Sequence, residues 1–146
     1  RLVGSEMCIR DSLRSIMKII TNNPLVAKEI DNIPIDFIEG SYRDVLLKAH
    51  RDIVENSYAL LTHPLSGSIK PNETVYKSII VAPQKSHSVD MESLVIVEKA
   101  IDVYDHFQEM RKTPDWNERI LEDFAVVDFH IIQGAISQIQ VPPRYL

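Results

Sequence analysis

Residues 62–74 read Thr-His-Pro-Leu-Ser-Gly-Ser-Ile-Lys-Pro-Asn-Glu-Thr, and they gather the densest set of reactive groups in the chain. Ser66, Gly67 and Ser68 offer hydroxyls and flexible backbone N–H groups, and Lys70 adds a cation, a combination that can cradle a phosphate or carboxylate. The glycine spacing and Lys-Ser/Thr pair of a nucleotide-binding loop are absent, as is any dinucleotide fingerprint. His63 can act as a general acid or base, because imidazole titrates near physiological pH. Its other reading is a hydrogen bond to the loop backbone. The segment as a whole also has two readings, an anion site or a structural connection in which Asn72 and the hydroxyls satisfy backbone groups. It is longer than the roughly 4–6 residues typical of connections in compact domains, which favours function.

Three other polar clusters follow apolar runs: Thr21-Asn22-Asn23, Glu39-Gly40-Ser41 and Pro83-Gln-Lys-Ser-His87. In open α/β sheets ligands bind beyond the carboxyl ends of the strands. A parallel sheet would therefore bring all four clusters to one rim. The expected ligand or partner site comprises Asn22, Asn23, Ser41, Thr62, His63, Ser66, Gly67, Ser68, Lys70 and Asn72. No catalytic residue is assigned beyond the candidate His63. His50, His87, His106 and His130 lack metal-ligand spacing, so neither a metal nor a cofactor is expected.

The elements that must position these groups follow from period and punctuation. Met17 to Thr21 is a β-branched run stopped by Asn22-Asn23-Pro24. Asn23 and Pro24 then open a brief helix to Ile30. Residues 33–38 form a second strand, with Pro34 marking an edge. Ser41-Tyr-Arg-Asp44 matches a capping box, and Tyr42, Val45, Leu46, Ala49 and Ile53 give one apolar helical face to about Asn56. Tyr58 to Thr62 is a third strand, placed centrally because its apolar run is continuous. Tyr76 to Ala82 is a fourth.

The longest helix spans about Val89 to Lys112, capped by Ser88, with Met91, Leu94, Val97, Ile101, Tyr104 and Phe107 inward. Beyond Thr113-Pro114, the pattern allows a short helix, a strand over Phe124–Val127 and a final helix capped by Asp128. It also allows one continuous helix from Trp116. The fold class is α/β: a single small domain with a mostly parallel, 4–5-stranded sheet and helices on both faces.

The chain has 146 residues and a net charge of −5, with one cysteine, Cys8. That length suits one domain. The acidic balance, without a basic stripe, argues against a nucleic-acid partner. No apolar run reaches the roughly 18–20 residues of a membrane span. Residues 1–16 include Leu-Val-Gly-Ser-Glu-Met-Cys-Ile-Arg-Asp-Ser, the translation of a sequencing-adapter DNA in one frame. They are read as a non-native, disordered extension ahead of a natural start at Met17. The domain then runs over residues 17–141, with a tail at 142–146. Without Cys8 it has no thiol, which fits a reducing cytoplasm. Oligomeric state is left open.

Met17-Lys-Ile-Ile-Thr-Asn-Asn-Pro-Leu-Val26, Phe37-Ile-Glu-Gly-Ser-Tyr42, Leu60 to Thr74 and Tyr76-Lys-Ser78 together resemble the GrdX family. The similarity continues through Leu121-Glu-Asp-Phe124 to about Ser137. Val75 departs from it, standing where many relatives are expected to have proline. The resemblance implies an accessory protein of glycine, sarcosine or betaine reductase systems in amino-acid-fermenting anaerobes. It would bind a reductase subunit or a small anionic metabolite and would not be a catalyst. The alternative is a small enzyme acting on a carboxylate or acyl phosphate through His63. The resemblance transfers no catalytic residues.

Overall fold

A computed structural model describes residues 17–67, 69–84 and 86–139. The proposed N-terminal extension, the C-terminal tail and Ser68 lie outside the described residues. The order is β1 (Lys18–Thr21), α1 (Pro24–Glu29), β2 (Ile35–Phe37), α2 (Tyr42–Asn56), β3 (Tyr58–Leu60), β4 (Ser78–Pro83), α3 (Met91–Met110) and α4 (Glu118–Gln138). No helix among the described residues is long and apolar enough to cross a membrane.

The four strands form one sheet in the order β2-β1-β4-β3. It is mixed rather than mostly parallel: β1 pairs parallel with β2, but β4 runs antiparallel to both β1 and β3. The physical reason is the connection. A parallel return needs a crossover, usually a helix, and the described residues between 61 and 77 contain no helix. The chain therefore turns back at the rim where β3 ends. Consequently β3 lies at an edge, not in the centre, while β4 carries the buried central run. Ile19, Ile20, Ile79 and Ile80 are fully buried, whereas Leu60 and Leu61 are only half-buried. Pro34 does precede an edge strand.

Alternation along the central strands divides the apolar core. Ile20, Ile79 and Val81 cluster with α2 and α3 through Leu46, Ile53 and Val97. Ile19, Ile80 and Ala82 cluster instead with Val26 of α1 and Ile132 of α4.

Local chemistry sets most helix boundaries. Asn23 caps α1 by accepting from the Leu25 N–H, with Pro24 in the first turn. Ser41 and Asp44 form the reciprocal capping box of α2. A Cβ at Gly40 would collide with the Asp44 carboxylate, so a side chain there would displace the capping group. Asp90, not Ser88, caps α3, and Met91 is exposed rather than inward. The last region is one helix. Asn117 caps α4, so neither the strand over Phe124–Val127 nor a cap at Asp128 exists.

An ion cluster fastens β1 to α2. The Lys18 ammonium lies 2.8 Å from Asp52 Oδ2 and 3.2 Å from Asp36, and Lys48 lies 2.8 Å from Asp52 Oδ1. Burial acts to raise the Asp52 carboxyl, but the Lys18 and Lys48 hydrogen bonds outweigh it and hold the group below its ordinary range. Its stabilisation is therefore present above the unfolded value and lost as pH falls through the lower folded value. Asp52→Asn should cost about 2 kcal/mol at pH 7. It should also flatten the acid limb of the stability curve, as measured by urea melts from neutral to acid pH.

Candidate functional site

β1, β2 and β3 end, and β4 begins, at one rim of the sheet, as their relative directions require. Asn22 joins three segments there. Its amide donates to the Gly40 carbonyl at 3.0 Å and the Val75 carbonyl at 2.7 Å, and its Oδ1 accepts from the Lys77 N–H at 2.9 Å. Asn22 thus binds the turn before Ser41 to the end of the 61–77 loop. Pro83, the first residue of the fourth polar cluster, ends β4 at the opposite rim, because β4 is reversed.

Below this junction lies a buried polar network. The Thr21 and Ser78 hydroxyls are 2.7 Å apart. Asp128, projecting from α4, accepts the Ser78 N–H at 3.1 Å, the Ser78 hydroxyl at 2.7 Å and the Asn23 amide at 3.0 Å. Lys77, only 4% exposed, donates its ammonium to the Ser66 carbonyl at 2.7 Å and hydroxyl at 3.2 Å. Burial pulls the Lys77 ammonium down to about 8, against the opposing pull of Asp128. The Tyr42 hydroxyl donates to the Pro64 carbonyl at 3.2 Å. Burial pushes it far above its ordinary range, helped by the negative charge of Asp128.

Tyr42, Lys77, Asp128 and Gly67 border a cleft of only about 20 Å³, room for about one water. Gly67 has φ +109°, and a Cβ there would lie 2.9 Å from Ile131 Cδ1. This part of the rim leaves little free space.

The other expected site residues have definite places. Thr62 Oγ1 accepts from the Ile80 N–H and so prolongs the β3–β4 pairing. His63 is exposed, and its Nδ1 accepts from the Leu65 N–H at 3.1 Å, which is the loop-backbone role. Ser41 is engaged in its capping box. Asn72 is buried, and its amide donates to the Phe107 and Arg111 carbonyls, tying the loop to the end of α3. Lys70 remains exposed.

At that end the loop opens onto a cavity of about 490 Å³. Lys70, Asn72, Glu73 and Arg111 supply its polar lining, and Phe107, Met110, Pro114, Trp116 and Phe124 its apolar wall. The Trp116 indole donates to the Glu73 carbonyl at 2.6 Å, and its ring lies 5.8 Å from that of Phe124. A second groove, of about 540 Å³ between α1 and α4, presents Lys28 against Glu118 and Glu122. Its charge balance is negative, so the first cavity is the better seat for an anion.

A family model described as GrdX-like protein matches residues 18–137. The chain belongs to that family. No curated protein and no solved structure is significantly similar to it.

In this GrdX-like protein the loop's Lys70 and Asn72 share a cavity with residues that the sequence reading left out, Arg111, Trp116 and Phe107. No local signal marks them, since all three read as helix-end or core residues. Asp128 and Lys77 did leave a trace. Asp128 falls in helical register with buried Ala125 and Ile132, and Lys77 directly precedes the buried β4 run. A charge in either position needs partners.

Proposed function

We propose that this GrdX-like protein is a non-catalytic accessory of glycine, sarcosine or betaine reductase systems, binding a small anionic metabolite at the 490 Å³ cavity. One observation carries the reading: Lys70 and Arg111 both line that cavity in a chain whose net charge is −5. Two cations gathered at a concave, largely apolar wall favour a carboxylate or phosphate. A concave seat of this size also suits a metabolite better than a reductase subunit, which would need a broad surface of about 800 Å². The enzymatic alternative is less well supported, because His63 Nδ1 is occupied by the Leu65 N–H and His63 does not line the cavity.

Thermal-shift titration with glycine, sarcosine, betaine, acetate and acetyl phosphate tests the reading, since a specific ligand raises the melting temperature by mass action. Lys70→Ala or Arg111→Ala should each weaken binding by about 3–10-fold, and added salt should weaken it further. His63→Ala should leave affinity unchanged. Retention of binding in the Lys70→Ala/Arg111→Ala double variant would place the site elsewhere. Turnover abolished by His63→Ala would establish the enzyme instead.

A further inference from the structure

The cavity holds more than a bare anion can use. Lys70 and Arg111 supply positive charge, but the acidic residue Glu73 lines the cavity as well. Asn72 spends its amide N–H groups on the Phe107 and Arg111 carbonyls and so pins the loop to this end of α3.

Arg111 is also the C-cap of α3, whose last turn contains no basic residue. The negative end of the helix dipole therefore favours a cation at this end of the cavity. The site has positive and negative poles together. Its remaining wall is apolar and includes three aromatic rings, those of Phe107, Trp116 and Phe124. Aromatic faces receive a flat ring well, and the volume is far more than a two-carbon acid fills.

We infer that the cavity receives an α-amino carboxylate with an aromatic or other large apolar side chain. The carboxylate is held by Lys70 and Arg111. The ammonium is directed toward Glu73 and the end of α3. The side chain lies along Phe107, Trp116 and Phe124. This assignment rests on the anion-binding reading above and specifies its ligand class.

Calorimetric titration of the wild-type protein with L-phenylalanine, 3-phenylpropionate, phenethylamine and glycine tests it. The three comparison compounds lack in turn the amine, the carboxylate and the ring. Phenylalanine should bind, and each of the others should be weaker by about tenfold or more, because a site built around a polar group rejects an analogue without it. Glu73→Gln keeps the backbone carbonyl that holds Trp116. It should weaken phenylalanine and leave 3-phenylpropionate unchanged or tighter.

Equal or tighter binding of 3-phenylpropionate, phenethylamine or glycine would overturn the amino-acid assignment. If 3-phenylpropionate or glycine bound in this way through Lys70 and Arg111, anion binding would still stand. If neither phenylalanine nor any carboxylate or acyl phosphate bound, both readings would fall.

Discussion

Asp128→Ala should lower the free energy of unfolding by about 3–5 kcal/mol, the range for removing one partner from a buried charged network. Asp128 is 6% exposed and accepts three hydrogen bonds, from the Ser78 backbone, the Ser78 hydroxyl and Asn23. The Ser78 hydroxyl can turn toward Thr21, but the Ser78 N–H has no such alternative. Each orphaned buried donor costs about 1–3 kcal/mol. Lys77 also loses the opposing charge of Asp128. Asp128→Asn should recover only part of the loss, since one acceptor oxygen is replaced by a donor that faces donors. Urea melts should show a lower midpoint with unchanged slope. A loss below about 1 kcal/mol would mean that the network is not closed in the way described.

The second large effect is a dependence on pH. The Lys77 ammonium is depressed to about 8 from an ordinary 10.5, so the unfolded chain binds the proton more tightly than the folded one. Between those values the unfolded state holds more protons, and stability must rise with pH. The full rise is about 3 kcal/mol. Three other groups act in the opposite sense but at higher pH. Half-buried Lys18 is raised from 10.5, with burial opposing and Asp52 prevailing, and Tyr42 and Tyr104 are both raised by burial from 10.0. All three contribute stability that is present below those ordinary values and lost above them. The interval from about pH 7.5 to 9.5 therefore isolates Lys77. In it wild-type stability should climb, while Lys77→Met should give a flat profile. A wild-type curve that is flat or falling across this interval would show that Lys77 is not desolvated.

The parts of the fold that the sequence makes legible are those decided by neighbouring residues. Asn23-Pro24 and Ser41 with Asp44 place the starts of α1 and α2 because capping bonds span only a few positions. Strand direction is different. The direction of β4 depends on how the chain returns, and the absence of a helix between β3 and β4 was the available clue. The run Tyr58–Thr62 reads as central because Leu60 and Leu61 are both apolar, yet an edge strand beneath a helix can also be apolar on successive residues. Asp128 reads as a helix cap because aspartate has that chemistry. Its tertiary partners, Ser78 and Asn23, lie 50 and 105 positions away, beyond any local pattern.

The candidate site divides in the same way. The 62–74 loop stands out through its hydroxyls, glycine and proline, but its roles there are mixed. His63, Thr62 and Asn72 bond the protein itself, whereas Lys70 is exposed and lines the cavity. The other half of the cavity comes from the end of α3 and the start of α4, some forty positions further on. Asn72 and Trp116 bring the two halves together through backbone carbonyls, contacts that any residue type at the accepting position could satisfy. Such partners leave no trace in the sequence.

The placement of β4 between β1 and β3 has a kinetic consequence during synthesis. Thr21 and Ser78, opposite one another at the sheet's centre, are 57 positions apart. At about 5–20 residues per second, several seconds separate their emergence. Through that interval the short β2 is the one strand available to β1, and the other backbone edge of β1 stays unpaired. An open apolar edge of this kind invites pairing with other chains. The nascent chain is therefore most vulnerable to aggregation before residue 83 is available, and it is then that a holding chaperone has most to protect. The sheet closes at its centre last.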